Sequence, residues 1–173
     1  MFVDIEFKIL YFLQSLHAPW LDIFMQSVTY LGDRGFIWIL LGIVFLCYKK
    51  TRKMGICLLL SLGVGFLLGN MVLKNMIARQ RPCWIDEQIL LLISNPRDFS
   101  FPSGHSLAAF EGSVSIWLYR RKWGIWFLIL ATLIAFSRLY LFVHFPTDVL
   151  AGIIIGTIIA VLVHYSMDNS IVS

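Results

Sequence analysis

The chain has 173 residues, of which 59% are hydrophobic, 15% aromatic and only 14% charged, and its mean hydropathy is +0.81. A soluble domain carries about 25% charged residues, so this composition excludes a disordered chain, a coiled coil and most soluble folds. The length suits one membrane-embedded domain over residues 1–173. The net charge of +4 does not mark a nucleic-acid partner. Seven of the fourteen Lys and Arg sit in two knots, Lys49-Lys50-Thr51-Arg52-Lys53 and Arg120-Arg121-Lys122, each between apolar runs, as in cytoplasmic turns between membrane helices.

In chain order, residues 1–31 come first. They mix Asp4, Glu6, Lys8, His17, Pro19 and Asp22 with apolar residues. This pattern predicts an amphipathic interfacial helix over 4–16 and a short helix over 19–31, with a kinked sixth span as the alternative. Acids near Met1 stand where a cleavable leader would carry positive charge. Five strong apolar runs follow, at 35–48, 54–73, 104–119, 123–143 and 148–165. A span needs about 20 residues, so the first of these should begin earlier, near Tyr30. Residues 82–102 form the one long polar connection. The fold class expected is all-α: a polytopic transmembrane bundle of five to six membrane helices with an N-terminal interfacial helix. The three cysteines form no framework. Cys47 and Cys57 read as packing residues, and Cys83 as a free thiol.

If the two basic knots are cytoplasmic, the chain runs out along 54–73, in along 104–119, out along 123–143 and in along 148–165. The segments 74–102 and 137–148 then share the opposite, extracytoplasmic face. Ionisable groups at a membrane are costly and tend to be functional, and three stretches bring them to that face.

The first stretch holds Lys74 and Arg81, seven residues apart, with Pro82 expected to end the helix. Two turns of helix would put both cations on nearly one side; snorkelling cations are the plain alternative. The second is Phe101-Pro102-Ser103-Gly104-His105-Ser106. A helix beginning at Ser103 and Gly104 leaves N–H groups and a positive dipole end free for an anion, with His105 placed to give a proton. The third runs from Ser137-Arg138 to His144 and Asp148. Four residues apart in a first helical turn, Asp148 can hold one imidazole nitrogen and leave the other free to attack. Three cations, an N–H seat, an oriented His and a second His make a kit for phosphoryl transfer through a phosphohistidine. Asp86, Glu87 and Asp98 are spread along a loop, so no metal site and no cofactor is expected.

These stretches resemble the tripartite signature of the type 2 phosphatidic acid phosphatase (PAP2) superfamily. In this sequence it reads Lys74, six residues, Arg81-Pro82; then Pro102-Ser103-Gly104-His105; then Ser137-Arg138, five residues, His144, three residues, Asp148. The resemblance implies that His144 is the nucleophile and that Asp148 orients it. It implies that His105 protonates the leaving group and then activates water. Lys74, Arg81, Ser103, Gly104 and Arg138 would bind the phosphoryl oxygens. It also implies a lipid phosphate substrate met at the membrane, with no nucleic acid and no obligate protein partner. The setting implied is a bacterial plasma membrane with the active site outside. Undecaprenyl pyrophosphate is the first substrate on this analogy, ahead of phosphatidylglycerol phosphate, phosphatidic acid and a lipid A phosphate. A transporter or channel is the rival class, but it predicts charges throughout the bilayer depth, and here only Glu111 is deep. Glu111 is expected to be satisfied within the bundle, or else to tune His105 or a substrate channel. Arg79 is expected at the interface, touching a second phosphate.

Overall fold

The computed structural model describes residues 2–169, and its regular elements in that range are all helices. Helix α1 (Phe2–Gln14) buries Glu6, Leu10 and Leu13 at four- and three-residue spacing, one helical face. Its other face is apolar and exposed, including Val3, Ile9 and Phe12. Proline at the first position starts α2 (Pro19–Leu31), where its missing N–H costs nothing. A one-turn break over Asp33–Gly35 separates α2 from α3 (Phe36–Cys47). The expected start of this run near Tyr30 is therefore a bend, not a continuous helix.

After the first basic knot, α4 (Arg52–Gly65) passes into wider π-helical turns at Phe66–Leu73 and a last α-turn, α5 (Lys74–Ile77). Ala78 then takes left-handed backbone (φ 47) and stops the helix. This corrects the expectation that the helix runs to Pro82. That proline instead opens a short helix, α6 (Pro82–Ile85). Helix α7 (Gly104–Tyr119) lies inside the bundle, packed against α4, α8 (Arg121–Tyr140) and α9 (Pro146–Asn169).

Among the described residues, the stretch Arg52–Ile85 and helices α8 and α9 are each long and apolar enough to cross a membrane. The pair Pro19–Leu31 and Asp33–Cys47, bent by 41°, makes a fourth candidate if counted as one broken span. Helix α7 has 16 residues, short for a full crossing.

Apolar burial cannot drive helices together inside lipid, so close packing must. Small residues on α7 and its neighbours permit it. Gly156 of α9 faces α7 so closely that a Cβ there would lie 2.5 Å from the Leu107 carbonyl oxygen. Gly112 of α7 receives the ring of Trp38, which is fully buried. One apolar cluster, around Trp38, Met54, Leu58 and Ile134, fills the length of the bundle. A second lies beneath α1 and holds Leu10, Met25 and residues 140–143 and 145. This second cluster grips the chain on both sides of His144.

Gly156→Leu is expected to destabilise the fold by about 1–3 kcal/mol, because the obstacle is backbone that cannot yield. Gly63→Leu, facing open space, should stay within about 0.5 kcal/mol. Thermal midpoints in detergent check the pair, and equal midpoints would contradict the packing argument.

Candidate active site

The site forms where α5, α7, α8 and the 141–145 loop end together, beside a cavity of about 770 Å3. Lys74, Arg81, Gly104, His105, Arg138 and His144 line this cavity, while Ser103 and Asp148 lie behind it. The three sequence stretches therefore meet in space. A wider, more open hollow of about 850 Å3 lies under residues 94–97 and Trp84 and holds none of these groups.

Arg81 organises the centre. Its Nε gives a hydrogen bond to the Asp98 carbonyl (2.7 Å), one terminal nitrogen reaches Asp98 Oδ1 (2.8 Å), and the other reaches the Val143 carbonyl (2.7 Å) and His144 Nε2 (3.0 Å). Lys74 donates to the other oxygen of Asp98. Lys74 and Arg81 thus converge through a shared carboxylate, not along one helical face as their spacing implied, since the helix has already stopped between them. Burial alone would push the Asp98 carboxyl up, but its two cationic partners outweigh this and hold its pKa at about 2. Arg138 is 3% exposed, gives one hydrogen bond to Thr29 Oγ1 (2.5 Å), and keeps Nε buried with no partner.

His144 sits in the loop just before α9, not in a helical turn, and is fully enclosed. Its Nδ1 is 3.8 Å from Asp148 Oδ2, too far for a direct hydrogen bond. Ser100 stands between, with Oγ 3.3 Å from Nδ1 and 2.5 Å from Asp148 Oδ2. The expected direct His144–Asp148 pair is therefore a relay through a serine. The carboxylate only accepts, so Ser100 donates to it, and the serine oxygen accepts from Nδ1–H. Nε2 then turns its lone pair toward Arg81 and the cavity. Burial, aided by the charges of Arg81, Arg138 and Lys74, keeps the His144 pKa well below the usual imidazole value, so the ring is neutral.

Both oxygens of Asp148 are engaged. It also accepts from the Phe145 N–H (2.9 Å) and from Arg79 (2.6 Å). Arg79 continues to Glu6 of α1 (2.5 Å) and lies 4.1 Å over the Phe145 ring. It is thus a strut between α1 and α9, its guanidinium paired with two carboxylates where a second phosphate was expected. Ser103 caps α7: its Oγ accepts from the N–H of Ser106 (3.4 Å), and its own N–H goes to the Asp148 carbonyl (3.0 Å). The first N–H groups of α7, beginning at Gly104, have no helical partner. His105 places Nε2 2.8 Å from Asp33 Oδ1.

Glu111 lines the cavity and packs against Gly65, and its buried Oε1 has no hydrogen-bond partner among the described residues, where one within the bundle was expected. Among the described residues no group of three His, Cys, Asp or Glu is placed to hold a metal ion. Sequence reasoning missed Glu6, Asp33, Asn70 and Ser100, and passed over Asp98 as a loop acid. Asn70 packs its side chain against Gly104, with Oδ1 buried and unpartnered. The arrangement can hold a tetrahedral anion against three cations and free N–H groups, with an imidazole nitrogen on the same cavity wall.

The family model for the PAP2 superfamily matches residues 54–171. An undecaprenyl-diphosphatase from Sulfolobus acidocaldarius is 36% identical over 158 residues, 90% of this chain and 74% of that protein. A lipid A 4'-phosphatase from Bacteroides thetaiotaomicron is 30% identical, over 88% of this chain and 72% of its own length. Among solved structures, the transmembrane PAP2-type phosphatidylglycerolphosphate phosphatase from Bacillus subtilis superimposes with a TM-score of 0.80 at 31% identity. It covers 97% of this chain and 86% of that one.

Asp98→Asn is expected to lower the thermal midpoint at neutral pH. A carboxyl held below its unfolded value stabilises the fold above about pH 4 and loses that effect as pH falls through about 2. The difference between mutant and wild type should therefore shrink over that interval. A difference unchanged at pH 2 would contradict a charge-based role.

Proposed function

Because the chain belongs to the PAP2 superfamily, we propose that it dephosphorylates a membrane lipid phosphate or pyrophosphate through a phosphohistidine on His144, without a metal. The chain is a phosphatase embedded in a membrane. Lys74, Arg81 and Arg138 bind the phosphoryl oxygens with the Gly104 N–H, while Ser103 caps the helix that presents it. His144 Nε2 attacks phosphorus as the bond to the lipid oxygen breaks, and His105 gives the proton to that oxygen. His105 then takes a proton from water, the water oxygen attacks phosphorus, and the phosphorus–nitrogen bond breaks to release inorganic phosphate. Asp148, through Ser100, keeps Nδ1 protonated and balances the charge that develops on the ring. The positive charge that a metal supplies elsewhere comes here from three side chains. The observation that carries this reading is the enclosed His144 Nε2, 3.0 Å from the guanidinium of Arg81.

The substrate choice rests on likeness to the relatives. Undecaprenyl pyrophosphate comes first, from the 36% identical protein. Phosphatidylglycerol phosphate, a lipid A phosphate and phosphatidic acid follow. Lateral entry is supported by the cavity's lower arm, where Ile39 and Phe66 line it and are also exposed on the outer surface of the helices. One domain with five crossings is proposed, the bent pair α2–α3 counting as one and α1 lying in the interface. Both basic knots then lie at the cytoplasmic end, and the site faces outward from a plasma membrane.

Purified protein is expected to release phosphate from lipid phosphates in EDTA. His144→Ala should lower turnover by at least about 10^3-fold and abolish the trapping of labelled phosphate on the protein, whereas trapping that survives would remove the nucleophile assignment. A cysteine placed in 85–98 should react with an impermeant reagent on intact cells. Reaction only after lysis would invert the topology.

A further inference from the structure

The break between α2 and α3 is built with strained backbone. Arg34 and Gly35 both adopt left-handed backbone, with φ of 53 and 68. A non-glycine residue stays there only where its surroundings over-determine it, and such residues gather at functional sites. These two residues turn the chain so that Asp33 meets His105, with Oδ1 2.8 Å from Nε2. Gly32 closes on the same edge of the ring, since a Cβ there would lie 3.0 Å from His105 Cδ2.

The contact is not forced by burial. The Asp33 side chain is 50% exposed, so water was available as its partner. His105 Nδ1 has no hydrogen-bond partner among the described residues, and His105 lines the cavity. The charged and titratable groups that bear on His105 are Asp33 from the break, Arg138 from α8, Arg81 from the start of the polar connection and His144 from the loop before α9. Among them Asp33 is the one carboxylate. Asp33 is the carboxylate in direct contact with the ring, and its negative charge opposes that of the two guanidinium groups.

We infer that Asp33, from outside the segment that the family model matches, is a positioning residue for His105: it binds Nε2–H, leaves Nδ1 to carry the transferable proton, and stabilises the protonated ring among cations. The inference rests on the reading of His105 as the general acid. In that step the bond from phosphorus to the lipid oxygen breaks, the Nδ1 proton moves to that oxygen, and Nε2–H stays on Asp33.

The test compares two substrates on the full chain in detergent micelles. Dioleoyl phosphatidate must expel an alkoxide and needs the proton; 4-nitrophenyl phosphate expels nitrophenolate and does not. Asp33→Asn is expected to lower kcat/KM for phosphatidate by about 10–100-fold, part of the contribution of a general acid, and to leave that for 4-nitrophenyl phosphate within about threefold. His105→Ala should show the same split in kcat/KM, more strongly, while its kcat falls for both substrates, because hydrolysis of the phosphohistidine is common to both. If Asp33→Asn lowers both substrates equally, or neither, the inference is overturned. If His105→Ala shows the split and Asp33→Asn does not, the role of Asp33 falls and the acid assignment stands. If His105→Ala shows no split, both fall. Should Asp33→Asn not fold, Asp33→Ser carries the same expectation.

Discussion

Unbalanced positive charge, held away from water, is the constraint from which the rest of this structure follows. Lys74, Arg81 and Arg138 are each at most 6% exposed. A single carboxylate, Asp98, pairs with the first two, and Arg138 makes do with a neutral hydroxyl. Removing a charge from water without full compensation costs several kcal/mol. A dianion placed between these side chains would supply what Asp98 and Thr29 leave unmet. The site is thus organised for a ligand before one arrives, and the fold bears the cost of that preparation.

The surrounding contacts keep the opposite charge from collapsing into this seat. Asp148 is engaged by Ser100, Arg79 and the Phe145 N–H. Glu6 is used by Arg79 and Thr147. Both carboxylates therefore stay beside the site without quenching it. The same contacts tie α1 to the start of α9 and fix the loop that carries His144. The ring is packed between Val143 and Phe145, both buried, and its neutral state and tautomer come from burial and the serine relay. Helix α7 brings its N-terminus to the same spot because small residues let α4 and α9 approach its backbone closely.

Much of this is legible in the sequence, and what is not has a physical reason. The apolar runs 104–119 and 148–165 become helices at nearly the expected bounds, because period and length suffice for long membrane helices. The spacing of Lys74, Arg81, His105, Arg138, His144 and Asp148 identifies residues that meet, because each lies at or just beyond the end of a helix. The helix end at Ala78 is illegible, since a left-handed alanine carries no sequence signal, and Pro82 drew attention to the wrong position. Ser100 and Asp33 are equally hidden. Ser100 meets His144 and Asp148 across 44 and 48 residues of chain and Asp33 meets His105 across 72, and neither belongs to a periodic pattern. Asp98 lies in the loop whose scattered acids suggest nothing but solvation, and only the folded loop places it between two cations.

The central claim is that the lone pair of His144 Nε2 faces an anion seat made by Lys74, Arg81 and Arg138. A crystal structure of the protein with orthovanadate, a mimic of the phosphoryl group in transfer, tests this most directly. Vanadium is expected bonded to His144 Nε2, with its oxygens on the three cations and Asp98 displaced from Lys74. Vanadate bound elsewhere, with Nε2 still on Arg81 and Asp98 still between the cations, would contradict the account.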